Sequence, residues 1–237
     1  MGERRVFSDS KAQASDIIPV VSINGKPVAD SELPLGMRRA QSIPELGALM
    51  EDPQTEIAFL ETPPSSAPED GFKILGEVLS SSSFTYKANP ENDIDSFFKN
   101  QVMIIKQSGT KAHKIETALA TLAIVKQGIL DIASAFPNYS IAGFQKKGPG
   151  QKEEVTGDWH TDKNIFRAPL VAVRTFSGPS TEYAEKGKTD RVIAPDPGSI
   201  VVHRSPHSSA LKFQHQSPKS IDSRFAVTIF FLPKELE

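Results

Sequence analysis

The chain has 237 residues, of which 38% are hydrophobic and 24% charged, with a formal net charge of -2, five histidines and no cysteine. That length fits one full domain with a core that hides most of its apolar surface. The missing cysteine excludes disulfide scaffolds, zinc-thiolate sites, iron–sulfur ligation and a cysteine nucleophile. Near-neutral charge argues against a nucleic-acid or membrane-surface partner and favours a small-molecule substrate. Any bound metal must take its ligands from His, Asp and Glu.

The start, MGERRVFSDS, has no apolar stretch of signal-peptide length. The longest strongly apolar run, Phe225 to Leu232, is far short of the ~20 residues that span a bilayer. A cytoplasmic protein is the expectation. Residues 1–40 read as a flexible N-terminal extension and 41–237 as a single domain, α-rich over 41–137 and β-rich over 138–237. In the extension, IIPVVSINGKPV holds an apolar island ending in Asn24-Gly25, a dipeptide suited to a hairpin turn. SIPELGALMED predicts a helix capped by Ser42, with Pro44 and Glu45 in its first turn. Glu56 to Leu60 predicts a strand. Short helices are expected at 71–79 and 93–100, and a buried strand at Val102–Ile105. From Lys114 to Phe136 apolar residues recur near a 3.6 period, predicting the longest helix.

After Pro137 short β-branched runs alternate with Gly and Pro: Tyr139–Phe144, Ala168–Phe176, Arg191–Ile193, Ser199–His203 and Phe225–Leu232. This texture predicts a β-sandwich or barrel, and with the front half an α+β fold.

Four of the five histidines fall in that β-rich half. His160 and Asp162 are two residues apart, so an extended segment points both to one face. Imidazole and carboxylate together make two parts of the 2-His-1-carboxylate triad that holds non-haem Fe(II) with open positions. The third ligand has to come from another strand. His215 is the first candidate, because it follows the Pro197-Gly198 strand and precedes Arg224 by nine residues; His203 and His207 are its rivals. An arginine near such a centre would grip an acidic cosubstrate with its planar fork. Arg224 is the first candidate, with Arg174 and Arg167 behind it. His113 stands apart on the helical side. Lys146, Lys147 and Lys152 read as a solvated rim. Trp159 reads as core or pocket lining, and Thr181-Glu182-Tyr183 as polar groups delivered by the preceding Gly-Pro turn. No Gly-x-Ser-x-Gly elbow, P-loop or dinucleotide fingerprint occurs in the sequence.

The order His-x-Asp, Pro-Gly-strand, His, then Arg resembles the Fe(II)/2-oxoglutarate-dependent dioxygenases. The resemblance implies a double-stranded β-helix (jelly-roll) core with N-terminal helices packed on it. It also implies Fe(II) on His160, Asp162 and His215, and 2-oxoglutarate as cosubstrate anchored by Arg224. More narrowly, the chain is similar over residues 40–232 to an uncharacterised bacterial family of unknown function. That likeness rests on the His-x-Asp stretch, on Arg174-Thr175-Phe176-Ser177-Gly178-Pro179-Ser180-Thr181-Glu182-Tyr183 and on a late His-x-Ser-Pro. Two alternatives stay open at this level: a His/Asp/His metal-dependent hydrolase holding zinc, and a non-enzymatic jelly-roll binding module.

Overall fold

The structure, a computed structural model, describes residues 21–62, 66–68, 70–79, 83–89, 93–147, 159–161, 167–205, 211–217 and 224–234. These build an α+β fold of three layers: helices, a seven-stranded sheet and a five-stranded sheet. The seven-stranded sheet contains β3 (Met37–Ala40), β4 (Ile57–Leu60), β5 (Thr85–Lys87), β6 (Tyr139–Lys147), β7 (Leu170–Ser177), β10 (Ile200–Arg204) and β12 (Phe225–Pro233). Their spatial order is β3-β4-β10-β7-β12-β6-β5. The five-stranded sheet runs β11-β8-β9-β1-β2, from β1 (Ser22–Ile23), β2 (Lys26–Pro27), β8 (Glu182–Glu185), β9 (Ile193–Ala194) and β11 (Phe213–Gln216). All pairings are antiparallel except β3 with β4.

Residues 21–40, expected to lie outside the domain, supply strands to both sheets. β1 and β2 form the hairpin that Asn24-Gly25 predicts, and both turn residues take positive φ, 51° and 75°. Residues 1–20 lie outside the described set.

Four helices cover one face of the seven-stranded sheet. In α1 (Ile43–Glu51) the Ser42 hydroxyl accepts the Glu45 N–H at 3.3 Å, while the Glu45 carboxylate accepts the Gln41 N–H at 2.8 Å. Helix α2 spans Gly71–Val78 and α4 spans Ala112–Ser134. Helix α3 (Ile94–Gln107) corrects the sequence reading, which ended the helix at 100 and placed a strand at Val102–Ile105. The run Val102-Met103-Ile104-Ile105 is rich in strand-formers, but Phe97, Phe98, Gln101 and Ile105 are buried at helical spacing. Burial of that stripe against the core overrides local propensity.

The seven-stranded sheet is buried on both faces. On β12, Phe225, Val227, Ile229 and Phe231 join the helix-side core, and so do Ile200 and Val202 of β10. Ile57, Phe59 and Val201 turn the other way and meet Tyr183, Ile193 and Phe213 of the five-stranded sheet. Strand alternation therefore gives each residue one of two addresses, under the helices or between the sheets.

Candidate functional site

The site lies between the two sheets. His160 forms an antiparallel bridge with His215: each backbone N–H donates to the other's carbonyl at 2.9 Å. A doubly hydrogen-bonded pair sets its side chains directly opposite on one face. The two imidazole centroids are accordingly 4.6 Å apart, at an interplanar angle of 62°. On its other side His215 is in register with Tyr183, which pairs in turn with Ile193. His160, His215, Tyr183 and Ile193 thus form a row across the sheet.

The opposing sheet adds His203. It shares the parity of Val201 on β10, is 6% exposed, and packs at 5.2 Å from the His215 ring and 6.1 Å from the Tyr183 ring. Its Nδ1 lies 3.2 Å from the Arg204 carbonyl. Three imidazoles, one of them from the rival set, therefore meet between the sheets. His113 is exposed on the first turn of α4, far along the helical side. Asp162 and His207 lie outside the described residues.

Metal–nitrogen bonds of about 2.1 Å place a ring centroid about 3.2 Å from a shared ion, so ligands at right angles have centroids about 4.6 Å apart. The His160–His215 pair meets that spacing. Among the described residues no three His, Cys, Asp or Glu side chains gather into a complete metal site. The pair needs a further donor from outside that set, where Asp162 belongs.

Arg224 immediately precedes β12 and is 3% exposed. One Nη donates to the Thr181 hydroxyl at 2.7 Å, while its Nε–H is buried without an acceptor. Among the described residues no carboxylate forms an ion pair with it. Burial pulls the guanidinium down from its ordinary value to about 10, and the nearby Tyr183 hydroxyl pulls the other way. A buried cation with a spare donor, and with no carboxylate partner among the described residues, suits an anionic ligand.

Arg174 has the other address. It shares the parity of Ala172 and Phe176 under the helices, with its guanidinium 4.9 Å from the Phe176 ring centroid. A Cβ on Gly128 of α4 would come within 2.6 Å of its Nη1. The structure does not bring it to Arg224, and the sheet stands between them. Arg167 is exposed, with φ at 51°.

Lys146 corrects the solvated-rim reading. It is 1% exposed, and its ammonium donates to the carbonyls of Gly76 and Leu79 at 3.1 and 2.7 Å, closing the end of α2. Burial lowers its pKa from 10.5 to about 8. Lys147 is half-buried, and Lys152 lies outside the described residues.

A narrow cleft opens beside the imidazoles, lined by Glu56, Tyr183, His203, Phe213 and His215 among others. Sequence reasoning missed Glu56, which stands there as the first residue of a strand. A carboxylate opening an apolar run was the one signal available. Its Oε2 accepts the Lys212 backbone N–H at 2.7 Å.

No helix among the described residues is long and apolar enough to cross a membrane. No family model matches the chain, and no curated protein matches it. Solved structures do resemble it. The Kdo hydroxylase KdoO, a non-haem Fe(II) α-ketoglutarate-dependent dioxygenase, aligns with a TM-score of 0.48 and 12% identity over 85% of this chain and 90% of that one. The rice dioxygenase for auxin oxidation aligns at 0.41 with 14% identity over 85% and 84% of the two chains. A prolyl-4-hydroxylase from Pseudomonas putida aligns at 0.34 with 16% identity over 80% and 99%. At these scores the chemistry of the site rests on its own residues.

Proposed function

We propose that the chain is a non-haem Fe(II)/2-oxoglutarate-dependent oxygenase built on a double-stranded β-helix. The strand order supports the fold. β6, the His160 segment, β7, β8 and β9, β10, β11 and β12 fall by turns in one sheet and then the other. They give an antiparallel β10-β7-β12-β6 layer facing His160, β11, β8 and β9. The observation that carries the function is the His160–His215 pair together with a buried Arg224 that has no carboxylate partner among the described residues.

In this reading His160, Asp162 and His215 hold Fe(II), and Arg224 holds the far carboxylate of 2-oxoglutarate. The bound iron and cosubstrate supply the oxidising chemistry: oxygen converts 2-oxoglutarate to succinate and CO2 while a substrate C–H bond is oxidised. The protein's part is geometry. The backbone bridge fixes both imidazoles against rotation about their strands. Thr181 holds one Nη of Arg224, which leaves Nε–H for the anion. Tyr183 packs its ring on His203 and His215, and its hydroxyl lies near Arg224. Arg174 stays under the helices as a structural cation.

Anaerobic titration with Fe(II) and 2-oxoglutarate, followed by absorption spectroscopy, tests this. The expected result is a metal-to-ligand charge-transfer band in the wild type that is lost in His160→Ala and His215→Ala. Absence of the band, or its persistence in both variants, refutes the reading.

A further inference from the structure

Resting on that reading, we infer that Gln145 and Thr228 form a polar contact that recognises the substrate through a pair of neighbouring hydroxyl groups.

Both side chains belong to one row that crosses the seven-stranded sheet. Register places Thr85, Gln145, Thr228, Val173, Val201 and Phe59 side by side on β5, β6, β12, β7, β10 and β4. The row faces the inter-sheet space, because Phe144 of β6 and Val227 and Ile229 of β12, its neighbours along the strands, turn into the helix-side core. It changes character halfway. Phe59 and Val201 pack with Tyr183, Ile193 and Phe213 of the opposing sheet, whereas the three residues beyond Val173 are polar. Exposure rises outward along that polar half: Thr228 is 7% exposed, Gln145 is half-buried and Thr85 is exposed.

Apart from Thr228, β12 is apolar throughout. A valine would fill the same space, and a hydroxyl there loses water at a cost unless something bonds to it. Neither the Thr228 nor the Gln145 side chain has a hydrogen-bond partner among the described residues. The two are in register, so their Cβ atoms stand about 5 Å apart. A hydroxyl and a carboxamide each donate and accept, as two adjoining hydroxyls of a ligand also do. No carboxylate occurs on β5, β6, β7 or β12, and Lys147, two residues on from Gln145, is the cation that shares its face on β6. The pair itself is uncharged, which suits a neutral polar group.

The pair also stands within reach of the imidazoles. Thr228 is two residues from Phe230, which is in register with Val171 and through it with His203. The His203 ring packs 5.2 Å from that of His215. The offset from His203 to Thr228 is therefore about 7 Å along the strands and about 10 Å across two of them. A small molecule held at its hydroxyls by Gln145 and Thr228 spans that interval. Arg224 precedes Thr228 by four residues, about 13 Å of extended chain, so the hydroxyl contact is separate from the anion contact.

The test uses trans-cyclohexane-1,2-diol and cyclohexanol, which differ by one hydroxyl, with the metal-free full chain. Binding is measured by ligand-observed NMR at neutral pH. Hydrophobic burial alone favours cyclohexanol. The paired contact should reverse that order, with the diol bound about fivefold more tightly. Both probes are neutral, so the charge of Lys147 does not separate them. Thr228→Val and Gln145→Leu should each bring the diol to or below cyclohexanol without lowering the thermal unfolding temperature, and Thr228→Ser should keep the preference. Equal binding of the probes, tighter binding of cyclohexanol, binding of neither, or a diol preference that survives both apolar variants overturns the inference. The Fe(II)/2-oxoglutarate band should persist in Thr228→Val and Gln145→Leu; its loss in these variants alone assigns the pair to the cosubstrate and overturns the inference as well. A wild type that lacks the band but prefers the diol through these two residues refutes the oxygenase reading alone. A normal band without diol preference refutes the polar pair alone.

Discussion

Arg224 offers the sharpest separation between a structural cation and a ligand-binding one. A structural arginine in a buried ion pair loses about 3–5 kcal/mol of protein stability when truncated, because its partner is stranded. Arg224 has no such partner among the described residues. The drop of its pKa to about 10 corresponds to about 3 kcal/mol of desolvation carried by the folded protein. The charged hydrogen bond to Thr181 returns about 1.5–3 kcal/mol of that cost. Arg224→Met should therefore leave the ligand-free protein as stable as before, or more stable by up to about 1.5 kcal/mol. Binding of 2-oxoglutarate should respond in the opposite direction. Loss of a charge-assisted grip on a carboxylate in this space costs about 3–4 kcal/mol, a rise in Kd of about 100- to 1000-fold. Urea unfolding of both proteins, with and without Fe(II) and 2-oxoglutarate, measures the two effects in one experiment. The wild type should gain stability from the ligands and the variant should not. A variant that unfolds several kcal/mol more easily, yet still gains the full ligand stabilisation, refutes the assignment.

Further outcomes follow from single contacts. In Lys146→Met the pH dependence should change: the unfolded chain holds this proton to 10.5 and the folded one only to about 8, so between those values wild-type stability rises with pH. Urea unfolding at pH 7.5 and 10.5 should show the wild type gaining about 3 kcal/mol relative to the variant, and a constant difference would contradict the buried ammonium. Gly128→Ala should destabilise by about 1–2 kcal/mol despite the better helix propensity of alanine, because the new Cβ meets Arg174 Nη1 at 2.6 Å and Phe176 Cζ at 2.9 Å. Ser42→Ala should cost about 1 kcal/mol through loss of the α1 cap, read as a lower urea midpoint. Arg204→Ala should release the end of α1 from three carbonyl contacts, seen as faster amide exchange over Leu49–Thr55.

The sequence carried some of this fold plainly and hid other parts for physical reasons. Helix α1 was legible because its cap, proline and first-turn carboxylate all agree, and the β1–β2 hairpin because Asn24-Gly25 accepts positive φ at both positions. The strands β8 and β11 were not legible, since Glu182–Glu185 and Phe213–Gln216 are short and largely polar. The bridge from His160 to His215 joins positions 55 apart, which no local pattern fixes. The cations were misread for a different reason. A strand buried on both faces is apolar throughout, so its pattern shows that residues alternate without showing which set faces which layer. Arg174 thus stayed on as a second candidate behind Arg224, and Lys146 looked like a loop residue, although Phe144 shares its face and lies in the helix-side core.

On the five-stranded sheet the structure itself divides the faces more clearly. Phe213 and His215 share the face turned toward the seven-stranded sheet, while Gln216 donates to the Glu182 carboxylate at 2.6 Å on the other face. A strand with one wet face declares its orientation through polar alternation. The structure turns His215 inward with Phe213, although the sequence singled it out only by its place after the Gly198 strand and before Arg224; His203 lies in the run Ile200-Val201-Val202-His203, where either parity is apolar. Glu56, just before β4, and His203 on β10 are placed beside His215 and Tyr183 only once the two layers are assigned.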